Sequence, residues 1–70
     1  MFDYSHLLGK MREKNLTQEE LCNAASIGVV TLNRSLHHDR PFRQDEMANI
    51  LSVLGEPLSS IEHYFFVNKL

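Results

Sequence analysis

Tryptophan is absent from this chain, cysteine occurs once, and cations are outnumbered. The lone Cys22 excludes an internal disulfide and fits a reduced, cytosolic setting. No apolar run approaches the roughly 20 residues needed to cross a membrane. No secretory signal pattern is visible either. Seven Lys and Arg stand against nine Asp and Glu, a net charge of −2. A dedicated nucleic-acid binder usually presents a basic face, because phosphate neutralisation supplies most non-specific affinity. Glycine-rich phosphate loops and nucleophile motifs are missing, so the sequence reads as a non-enzyme with no cofactor.

Four histidines and Cys22 invite a search for metal ligands, and the spacing offers none. His37 and His38 are adjacent, so on a helix they would point about 100° apart. Cys22 has neither a C-x-x-C partner nor an H-x₃-H neighbour. Glu19–Glu20 and Asp45–Glu46 fall in helix first turns, where capping and the helix dipole account for paired acids without catalysis.

What is present reads as globular: 43% hydrophobic and 23% charged residues over 70 positions. That length allows one domain, residues 1–70, with a core small enough to depend on good caps. Helical spacing recurs along the chain. Asp3 caps a first helix whose buried face is Tyr4, Leu7, Leu8 and Met11, and Asn15 is its left-handed stop. Lys10, Arg12 and Lys14 read as a solvated face near its end.

Thr17 to Leu36, TQEELCNAASIGVVTLNRSL, organises the rest. Thr17 and Glu20 have capping-box spacing, with Leu16 and Leu21 as the hydrophobic staple. Leu21, Ala25, Ile27 and Leu32 fall where two short helices joined by a turn bury apolar residues, with Cys22 small enough for the crossing. The second of these helices begins after Gly28.

His37 to Arg43, HHDRPFR, reads as a polar loop, and a fourth helix starts near Gln44. Met47, Ile50, Leu51 and Leu54 mark its core face, and Gly55 and Pro57 end it. Ser59 and Glu62 repeat the capping-box spacing and predict a short last helix. Tyr64-Phe65-Phe66-Val67 then closes the core; exposed, the same aromatics would serve self-association. The fold class is therefore all-α, about five short helices.

TQEEL and TLNR within the organising stretch resemble the helix-turn-helix of the Cro and lysogeny-repressor family. MFDYSHLLGKM, PFRQDEMANILSVLG and IEHYFF extend the resemblance to small regulators of temperate phages of Gram-positive hosts, closest to the modulators of repression. This implies a lambda-repressor-like fold and a bacterial cytoplasm. It also implies a partner, the DNA-binding domain of the cognate lysogeny repressor, whose operator binding the protein antagonises.

In the operator-reading relatives, base edges are met from the start of the second motif helix and one turn later. The matching residues are Gly28, Val29, Val30, Asn33 and Arg34. Arg34 can donate to guanine and Asn33 to adenine, whereas valines touch only a thymine methyl. Gln18 matches a phosphate-contacting position, and Arg40 and Arg43 can add backbone contacts. The alternative function is thus a Cro-like operator-binding repressor, which as a homodimer would engage two half-sites. An antitoxin-like module fits the size, but little chain remains for a toxin-binding segment.

The departures from the family pattern favour a protein partner. Ile27 and Leu32 take the inward positions, so at least one of Val29 and Val30 should be exposed. Exposed adjacent valines suit a dry protein contact better than a wet groove. Ser26 replaces the usual turn glycine, so it either takes a left-handed conformation or reshapes the turn. Ser35 replaces a usually buried apolar residue, which rotates the helix end or leaves Leu36 to a partner. Glu19 and Glu20 against Arg34 leave the motif at −1. Val29, Val30, Asn33 and Arg34 are the expected contact centre, with Leu36 and His37 at its edge.

Overall fold

Local caps set the helix boundaries in the computed structural model, which describes residues 1–68. The domain expected over 1–70 extends two residues beyond those described. Five helices follow one another: α1 (Ser5–Glu13), α2 (Gln18–Ala25), α3 (Val29–Leu36), α4 (Gln44–Leu54) and α5 (Ile61–Phe65). The class is all-α, as the apolar periodicity predicts; the described residues hold no strand, and one antiparallel bridge joins Phe2 to Asn68. None of these helices is long and apolar enough to cross a membrane.

Asp3 Oδ1 accepts the Ser5 N–H at 2.9 Å, so this carboxylate serves the first turn of α1 although the helix begins one residue later than a strict cap requires. Asn15 turns the chain at φ 56°, and Thr17 opens α2 with a complete capping box. Its hydroxyl accepts the Glu20 N–H at 3.1 Å while Glu20 Oε1 accepts the Thr17 N–H at 2.9 Å. Gly55, at φ 72°, terminates α4 in the left-handed conformation.

The last helix begins differently from the expectation. The Ser59–Glu62 box does not form; a 3₁₀ turn over Leu58–Ser60 comes first, closed by Ser60 N–H to Pro57 C=O at 2.9 Å. A capping hydroxyl requires extended backbone at its own residue, and Ser59 already lies inside the turn. Pro57 is the residue that supplies the extended geometry instead.

α4 lies at the centre, packed on α2 and α5, while α1 closes against α5 and α3 against α2. The core takes Leu7 and Met11 from α1, Leu21, Cys22 and Ala25 from α2, and Leu32 from α3. Met47, Ile50, Leu51 and Leu54 from α4, Tyr64 and Phe65 from α5, and Tyr4 just before α1 complete it. The tail thus closes the core through two of its aromatics, while Phe66 stays 42% exposed, its ring edge-on to Phe2 at 5.3 Å.

The 37–43 segment is more than a polar loop. Phe42 is half-buried, with ring centroids 5.2 Å from Tyr4 and 5.1 Å from Phe65. His38, at φ 66°, stacks on the other side of Tyr4 at 5.2 Å.

Candidate interaction surface

Gly28 flanks the start of α3 in extended backbone (φ −69°, ψ 143°), and no side chain caps the helix. The turn from α2 into α3 passes through Ser26 at φ 59°, ψ 43°, so the serine takes the left-handed conformation rather than reshaping the turn. Ile27 then turns partly inward and Leu32 is fully buried. With those two facing the core, the first turn of α3 points outward: Val29 is 41% and Val30 73% exposed. Both valines are on the surface.

Arg34 lies one turn beyond Val30 on the same side of the helix and is exposed. Among the described residues no carboxylate pairs with it. Asn33 is half-buried, and its carbonyl receives His37 Nδ1 at 2.7 Å, so the exposed His37 ring closes the end of α3. Gly28, Val29, Val30, Arg34 and His37 therefore present one outer surface with Asn33 at its base.

Leu36 does not join that surface as a free side chain; it is half-buried and packed against the core. Ser35 explains why. It is fully buried, so α3 keeps the rotation of a helix with an apolar residue there, and Leu36 is held inward beside it. The buried hydroxyl is satisfied by Arg40, whose Nη1 donates to Ser35 Oγ at 2.8 Å and to Glu46 Oε1 at 3.0 Å. Glu46 Oε1 also accepts the Arg43 N–H at 2.8 Å. Arg40 thus ties the loop to both α3 and α4, and Glu46 holds it there.

This network redirects Arg40, one of the residues assigned to phosphate, while the Arg43 side chain stays exposed. Arg40 is partly buried and turned inward, and Arg43 Nε sits 3.3 Å from Asp45 Oδ1. Gln18 is half-buried at the start of α2. Beside it, hydrogen bonds from the Thr17 N–H and hydroxyl hold the Glu20 carboxyl below its ordinary value of 4.5. The N-terminal end of α2 therefore keeps a negative charge, and two of its backbone donors are already used.

Residues 1–68 match a family described as "Protein of unknown function (DUF739)". The chain belongs to the DUF739 family. No curated protein matches it at a significant level. For this DUF739 chain the α3 surface is the place where exposure and chemistry coincide.

Several contacts carry no local signal in the sequence. Tyr64 hydroxyl donates to Glu56 Oε1 at 2.8 Å, and Lys10 Nζ lies 3.3 Å from the same oxygen, so Lys10 belongs to a buried-edge network rather than a solvated face. The Tyr64 bond, and then Lys10, hold the Glu56 carboxyl below its ordinary value. His6 and His63, far apart in the chain, bring their rings to 4.3 Å across α1 and α5. Among the described residues no three His, Cys, Asp or Glu side chains gather as a metal-holding group. Cys22 is buried, and that burial raises its thiol above the ordinary value.

Proposed function

We propose that this protein regulates the lysis–lysogeny switch of a temperate phage by binding the DNA-binding domain of the cognate lysogeny repressor. The α2–turn–α3 unit serves as the contact, acting as a helix-turn-helix that reads a protein, and the bound repressor loses or changes its hold on operator DNA. On this reading the protein works in the bacterial cytoplasm and is neither an enzyme nor cofactor-dependent. The partner's identity rests on the sequence resemblance; the preference for a protein surface rests on residue chemistry.

A single observation carries that preference: Val29 and Val30 both stand exposed on the first turn of α3. A base-reading helix needs donors and acceptors there, and two valines offer neither. Buried against a partner, each gains up to ~1.5–3 kcal/mol before the cost of association, with the larger share from the more exposed Val30. The ionised Glu20 beside Gln18, and the inward pairing of Arg40 with Glu46, further reduce the cations available for phosphate.

The second reading is a Cro-like operator binder, monomeric or a homodimer. Arg34 favours it, because an unpaired exposed guanidinium can donate to guanine. In that case Arg34→Ala costs roughly 1–3 kcal/mol of specific DNA binding.

Val30→Asp separates the readings. Placing an unpaired carboxylate in a dry interface abolishes repressor binding in a titration calorimetry experiment, while an exposed site leaves the fold intact by circular dichroism. Unchanged repressor binding by Val30→Asp would contradict the proposal.

A further inference from the structure

α3 carries a cation that pairs with no carboxylate among the described residues. Among the described basic side chains, Lys10 is held by Glu13 and Glu56, Arg40 by Glu46 and Arg43 by Asp45, while Arg12 and Lys14, near the end of α1, are exposed and form no ion pair. Arg34 pairs with no carboxylate among the described residues, and α3 itself contains no acid. The end of a helix favours a cation through the dipole, which accounts for a positive charge there but not for its position on the valine side. Val30 and Arg34 are four residues apart, so the exposed methyls and the guanidinium share one face with roughly 6 Å between their positions along the axis.

We infer that Arg34 pairs with a carboxylate of the partner protein, set about one helical turn from the apolar depression that receives Val30. This inference rests on the proposed repressor contact and names the chemistry its surface must offer. A phosphate backbone is the other source of negative charge, and the surroundings disfavour it. Phosphate binding draws on several cations at once, whereas Arg40 is turned inward to Glu46, Arg43 has Asp45 3.3 Å away, and the neighbouring end of α2 holds ionised Glu20 with the exposed Glu19. One guanidinium beside two exposed valines fits one carboxylate at the edge of a dry contact. Arg34 then fixes the orientation of α3 on its partner, since rotating the helix or reversing it separates the guanidinium from the acid.

The test uses the intact protein and the isolated DNA-binding domain of the cognate repressor in titration calorimetry. Arg34→Gln weakens binding about 10–100-fold, in line with loss of a charge-assisted hydrogen bond. That loss disappears when one particular repressor Asp or Glu has been changed to its amide, so the two substitutions are strongly non-additive. Binding by Arg34→Gln within twofold of the unmodified protein overturns the carboxylate assignment while leaving the repressor contact standing. Absence of any complex with the unmodified protein removes the repressor contact itself. A gel shift with operator duplex adds the nucleic-acid outcome: retardation by the protein alone that Arg34→Gln abolishes would assign the guanidinium to DNA and overturn the inference.

Discussion

Ser26 occupies a backbone conformation, φ 59° and ψ 43°, that an L side chain adopts at a cost of about 1–2 kcal/mol. Glycine lacks that strain but loses more freedom on folding, about 0.5–1 kcal/mol. Ser26→Gly should therefore stabilise the domain by about 0.5–1 kcal/mol in urea denaturation. A destabilised variant would mean that the serine side chain holds the turn by a contact of its own. Glu20 and Glu56 act at the same scale through protons. Both carboxyls are held below their ordinary 4.5, Glu20 first by the Thr17 N–H and Glu56 first by the Tyr64 hydroxyl. A depressed folded value adds stability that is complete above the ordinary value and is lost as pH falls through the folded one. The melting temperature should thus drop as pH falls below about 4.5, and less steeply in Glu56→Gln than in the unmodified protein. Parallel pH profiles for the two would remove Glu56 from the account.

Elements form where their signals are local. The Thr17–Glu20 box, the Asn15 stop, Gly55 and the apolar spacing of α4 lie within a few residues of what they control, and each is legible in the sequence. The exposure of Val29 and Val30 is legible for a related reason: Ile27 and Leu32 already use the inward directions around the turn. The start of α5 is not, because Pro57 imposes a 3₁₀ turn that overrides the Ser59–Glu62 spacing. Nor is the inward turn of Arg40, whose partners come from two different helices. That network gives the element-scale prediction. Arg40→Ala leaves the Ser35 hydroxyl and the Glu46 carboxylate without their shared donor and should cost about 1–3 kcal/mol, more than Ser35→Ala, which removes one hydrogen bond and costs about 0.5–1.5 kcal/mol. Urea titrations of the two variants check the order; equal losses would mean that Glu46 finds another partner.

At the scale of the whole molecule, the chain divides its surface between charges that serve the fold and a face that serves nothing inside it. Lys10, Glu56 and Tyr64 tie α1 to α5; Arg40 and Glu46 tie the loop to α3 and α4. On α3 the valines and Arg34 contribute no such tie. A net charge of −2 and an acidic end on α2 make that face a poor match for a polyanion. The deciding property is whether this face meets nucleic acid or protein. A gel shift across a salt series on the phage switch region, with this protein alone and then with the cognate repressor, asks that directly. A helix-turn-helix that reads a protein gives no specific retardation alone and a lost or altered repressor band when both are present. Specific retardation by the protein alone, weakening steeply as salt rises, would contradict it and identify a reader of DNA.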